Sequence, residues 1–171
     1  MPKENHVVTE GIAAGLIGAM AIAIWFAILD LGRGEPLQTP TMLGNAVASV
    51  FLSTPPSQAG AILGYTIFHF AAFIIVGILF SWAVNSAERA PWVLIGPLML
   101  FVAFEIGWIG ITQMLSRGFG ELSWLQVFVA NLIGAAAMGI YMWKQHPNLS
   151  KRVDRVLAGD VETDRISASR Y

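Results

Sequence analysis

Three polar side chains stand nearly alone in long apolar runs, and they are where chemistry could occur. His69 is the only His, Asp, Glu, Lys or Arg of 60–84, Glu105 the only one of 91–115, and Asn131 the deepest polar group of 122–144. A carboxylate in hydrocarbon is costly unless it faces protein or water, or binds a proton. A histidine within hydrogen-bond reach gives it two stable states, carboxylate with imidazolium or neutral acid with neutral imidazole. An amide both donates and accepts, so Asn131 can complete either one. Counted from the outer ends of their runs, His69 and Asn131 lie nine residues in and Glu105 ten. Those offsets are about 14, 14 and 15 Å of helix, so the three are expected at one height. Thr66 and Thr112 lie one or two turns further out on the faces of His69 and Glu105 and would extend the layer.

The plainest role for such a cluster is to fix the mutual orientation of membrane helices, each contact contributing about 0.5–2 kcal/mol. A proton or solute path is the second reading, and a ligand or cofactor contact the third. Sharper chemistries fail. Haem held by two axial histidines needs a second imidazole in the bilayer, which only a dimer could supply. Zinc and di-iron sites need more ligands than His69 and Glu105. No Ser/His/Asp arrangement, phosphate-binding glycine loop or HExxH is present, so no catalytic constellation is expected. Phe68, Phe70, Phe73, Phe101 and Phe104 are aromatic enough to line a quinone or pigment cleft, although such rings more often pack or face lipid. No cofactor is expected; haem, quinone and pigment remain open alternatives. Asp30 reads as an interfacial residue paired with Arg33. Gln113 and Gln126 read as solvated, and His6 and His146 as surface residues.

These residues need apolar helices to hold them, and the composition supplies them. The chain has 171 residues, 56% hydrophobic and 12% charged, where a soluble domain carries about 25% charged residues. A net charge of −1 offers no basic face for nucleic acid. With no cysteine, disulfides, thiolate nucleophiles and Cys-ligated metals are excluded. The reading is an all-α protein: a four-helix transmembrane bundle, 1–144, with a partly disordered polar tail over 145–171. The spans are 8–31, 60–84, 91–115 and 122–144, the third kinked at Pro97. The first run is too long for a signal peptide and is expected to stay uncleaved. Thr39-Pro40 starts a short amphipathic helix over 40–52 that lies on the membrane surface, with Met42, Leu43, Ala46, Val47, Val50 and Phe51 on its apolar face.

Small residues at four-residue spacing let membrane helices approach closely. Gly11, Gly15 and Gly18 do this on the first span, Gly60 and Gly64 on the second, and Ala130, Gly134 and Gly139 on the fourth. With both termini on one side, that side holds Lys3, Arg89, Lys144, Lys151, Arg152, Arg155, Arg165 and Arg170; the other holds only Arg33 and Arg117. Both termini are therefore expected in the cytoplasm.

Gly11, Gly15, Gly18, Trp25-Phe26, Asp30, Pro36, Thr39-Pro40 and Leu43-Gly44, followed by His69-Phe70 and Phe73, form a pattern over the first half of the chain. In it the sequence resembles small uncharacterised bacterial inner-membrane proteins with four spans. The resemblance implies that membrane and that architecture, and no activity. The function expected is a non-enzymatic small subunit or accessory component, packing with copies of itself or in a larger energy-transducing complex. A proton-coupled carrier using His69, Glu105 and Asn131 is the alternative. A lipid, quinone or pigment site between the second and third spans is a further one.

Overall fold

The computed structural model describes residues 2–87 and 123–147. These form four helices: α1 (Pro2–Arg33), α2 (Gln38–Phe51), α3 (Gln58–Ala87) and α4 (Trp124–Gln145). The fold is all-helical. Three segments are long and apolar enough to cross a membrane: His6–Arg33, Gln58–Ser86 and Trp124–Gln145. The shortest of them, with 22 residues, rises about 33 Å against a hydrocarbon core of about 30 Å. The runs 8–31 and 60–84 fall inside α1 and α3, and 122–144 coincides with α4 to within two residues. The run 91–115, with Pro97 and Glu105, lies outside the described residues, as does the tail from 148 onward.

Helix α1 is the hub, and small residues on two of its faces decide what touches it. Towards α3, Gly11 meets Ile78, Gly15 meets Phe73 and Ile74, and Gly77 fits between the backbones of Gly11 and Gly15. Towards α4, Gly18 meets Met138, while Gly134 meets Ile22 and the Gly18 carbonyl. Each step forward on α1 is a step backward on its neighbour, so α3 and α4 both run antiparallel to α1 and parallel to each other. Two apolar clusters fill the seams: Ala14, Val84, Met138 and Met142 near one end, and Ile22, Phe26, Val127 and Ala130 near the other. The opposite faces carry exposed large apolar side chains such as Ile24, Ile28, Leu63, Ile67 and Ile140. A bilayer is the solvent that such an outward face fits.

Helix α2 crosses the Arg33 end of the bundle, with Gly44 against the Ala61 backbone. Its buried side is Thr39, Leu43 and Gly44. Of the expected apolar face, Val50 and Phe51 turn away from the bundle and are 74% and 79% exposed. Among the described residues, Gly64 and Gly139 have nothing within 4 Å of where a Cβ would sit, and Gly60 meets Ser57 and Pro56 of its own turn.

Gly77→Ala should destabilise the bundle by about 1–3 kcal/mol, because its methyl meets backbone that cannot move aside. Gly64→Ala meets nothing among the described residues and should be neutral or gain up to about 1 kcal/mol from helix propensity. Thermal unfolding in mild detergent separates the two; equal effects would contradict the contact.

Candidate functional site

His69 is buried between α1 and α3, and its Nε2 lies 3.2 Å from the Ala19 carbonyl oxygen. A carbonyl only accepts, so Nε2 carries the proton and donates across the helix seam. Ala19 stands near the middle of the membrane-crossing part of α1. The imidazole is held on its flanks by Tyr65, stacked at 5.5 Å between centroids, and by Phe73 at 4.8 Å. This ring is therefore a clasp between two spans as well as a polar group at mid-height.

Of the other members of the expected layer, the two that are described, Thr66 and Asn131, are placed as follows. Thr66 is exposed and donates 2.7 Å back to Ile62 of its own helix, the usual refuge of a hydroxyl facing lipid. Asn131 is half-buried on α4. Gly134 is level with Ile22, so Asn131 falls level with Trp25, whereas His69 is level with Ala19. Six residues of α1 separate those levels, about 9 Å of height. Counting residues from span ends assumed helices of equal reach, but α3 is eight residues longer than α4. Glu105 and Thr112 lie outside the described residues, as do Phe101 and Phe104 of the expected aromatic cleft. Phe70 and Phe73 are half-buried beside His69, and Phe68 is exposed.

Asp30 is fully buried, which overturns its expected pairing with Arg33. Its Oδ2 accepts from the Thr39 backbone N–H at 2.8 Å and its Oδ1 from the Thr39 hydroxyl at 2.7 Å. The cause is local. Leu37, at the N-cap of α2, has φ of 69° and an apolar side chain, so it cannot satisfy the first N–H groups of that helix. A carboxylate from the end of α1 does so instead and gains from the positive end of the helix dipole. Pro40 in the same first turn removes one donor that would need a partner.

Sequence reasoning missed a second buried acid. Glu10 is 6% exposed, with Oε1 3.1 Å from His6 Nδ1 and Oε2 3.3 Å from His146 Nε2. His6 is at the surface as expected. His146 is buried, contrary to expectation, because it closes the end of α4 against α1. The available signal was His6 and Glu10 four residues apart on one helix face, with the first residue of the apolar run directly after. The two imidazoles take different carboxylate oxygens instead of converging. Among the described residues no group of three or more such side chains is arranged to hold a metal ion. At the other end, Trp25 Nε1–H donates 3.2 Å to the Gln126 carbonyl, and Gln126 Oε1 accepts from the Ser123 N–H at 3.4 Å. Gln126 is thus half-buried and engaged with its own helix start.

Asp30→Ala should cost about 1.5–3 kcal/mol, the value of hydrogen bonds to a charged group, and fray the start of α2. Asp30→Asn keeps one acceptor and should cost less. Helicity and thermal unfolding in detergent measure both, and an Asp30→Ala protein as stable as the parent would contradict the capping role. No protein family, no curated protein and no solved structure matches this chain.

Proposed function

We propose that the protein is a non-enzymatic, four-span component of a bacterial inner membrane, packing with copies of itself or with the subunits of a larger energy-transducing complex. The observation that carries the reading is a small-residue face that no described residue covers. On α4, Ala130 and Gly134 are consumed by α1, while Ala135 and Ala136 are exposed and Gly139 has no neighbour among the described residues. Membrane helices associate by close backbone approach, so such a face fits another apolar helix better than it fits lipid.

The span count and orientation have their own support. α3 ends beside the start of α1, and α4 begins at the far end, beside the end of α1. Residues 88–122 therefore have to join opposite ends of the bundle. The uncharged stretch before and after Glu105 in 91–115 is 25 residues long, about 37 Å as helix, and would make that crossing as a fourth span. The start of α1, the end of α3 and the end of α4 share one end, and in the sequence eight of the ten Lys and Arg residues flank those three helix ends. That asymmetry favours a cytoplasmic location for both termini.

The test is the mass and content of the particle after gentle solubilisation. The parent protein should appear as an oligomer or with a membrane partner. Gly139→Leu and Ala136→Leu should weaken that association at least about tenfold, ~1.4 kcal/mol, without lowering the melting temperature. A strictly monomeric parent without partners would overturn the reading.

A further inference from the structure

We propose that Glu10 relays protons between water, at the exposed His6, and the buried His146. This goes beyond the packing role above and does not depend on it. Glu10 lies one turn before the apolar cluster of Ala14, Val84, Met138 and Met142, in surroundings that do not support a lone charge. Its two oxygens face two different imidazoles, at 3.1 and 3.3 Å. The first imidazole has 70% of its side chain exposed and the second 7%, so the carboxyl group spans the boundary between water and interior.

The two contacts differ in kind. Glu10 Oε2 and His146 Nε2 form a buried hydrogen bond. Glu10 Oε1 is also buried but has no aligned hydrogen bond, although His6 Nδ1 lies within ion-pairing distance. A contact close but not locked is what a proton-exchanging pair requires, since a small turn of the exposed imidazole makes or breaks it. On α3, the polar residues at this end include Ser81 and Asn85, which carry no charge, and Asn85 Nδ2–H donates to the Ser81 carbonyl. On α4 the other titratable groups at this end are Lys144, which is exposed, and Tyr141, half-buried against the Ala14, Val84, Met138 and Met142 cluster. Among the described residues, the ionisable groups within pairing distance of Glu10 are His6 and His146.

The step balances without a co-reactant. Water supplies a proton to His6 Nε2, and His6 Nδ1–H passes one to Glu10 Oε1. Glu10 Oε2–H at the same time gives its proton to the lone pair of His146 Nε2. His6 returns to a neutral imidazole, Glu10 stays a neutral acid with its proton on the other oxygen, and His146 becomes imidazolium. The reverse sequence returns the proton to water.

The chain contains three histidines, so nitrogen-15 labelling of the imidazoles in the whole protein gives three separable ring signals. A positioned acid–base group speeds proton transfer by roughly 10²–10⁴-fold, so its loss should be visible. His6→Gln and Glu10→Gln should each slow proton exchange at His146 Nε2, read from the exchange broadening of its nitrogen-15 signal, by at least about tenfold. The His69 ring N–H, bonded to Ala19, should be unchanged and reports that the bundle is intact. Unchanged His146 exchange in His6→Gln, with the His69 signal present, overturns the relay. Should Glu10→Gln lose the His69 signal, His6→Gln alone decides, because that exposed substitution leaves the seam untouched.

Discussion

The close approach of α1 and α3 at Gly11, Gly15 and Gly77 is the contact that the rest of the described structure depends on. Here backbone meets backbone, and a single added methyl has nowhere to go. Lipid gives two apolar helices no hydrophobic reason to associate, so intimate van der Waals contact has to supply it. Once this register is set, His69 has to fall opposite Ala19. The small residues on the other face of α1 set the second register in the same way, and Gly18 against Met138 brings Glu10 opposite His146.

Along α1 the polar contacts then form a series of tethers to every other described helix. Glu10 reaches His146 at the end of α4, and the Ala19 carbonyl receives His69 of α3. Trp25 donates to the first turn of α4, and Asp30 caps α2. None of these groups is stable alone in hydrocarbon, so each rewards only the correct partner. The glycine seams supply proximity and the tethers supply specificity. Two of the tethers also carry titratable groups at the water boundary, which is how a structural device at Glu10 acquires a proton-handling role.

What could be read in the sequence follows the same division. The three long helices were legible because their apolar runs exceed the length of a membrane crossing, and α2 because Thr39-Pro40 precedes a periodic stretch. Which way each small residue points was not legible. Gly60 and Gly64 have the spacing of a packing pair but α3 is apolar all round, so its sequence does not mark the inner face. Gly77 stands alone in a run of Ile, Val and Phe and turned out to be one of the closest backbone contacts. The partners of Asp30 and Glu10 were hidden for another reason. One caps a helix whose own N-cap residue is unsuited to the task, and the other pairs across 136 positions of sequence.

The register of α1 against its neighbours is the central claim, and the absence of native cysteine makes it directly accessible. A Cβ at Gly134 lies 3.0 Å from Cγ1 of Ile22 and 2.8 Å from its Cδ1, so paired cysteines at 22 and 134 stand within disulfide reach. In membranes, the Ile22→Cys/Gly134→Cys protein should cross-link within one chain under mild oxidation, and Ile22→Cys/Gly139→Cys should not. Cross-linking of the second pair in preference to the first would mean that α4 is rotated or shifted, and the register described here would be wrong.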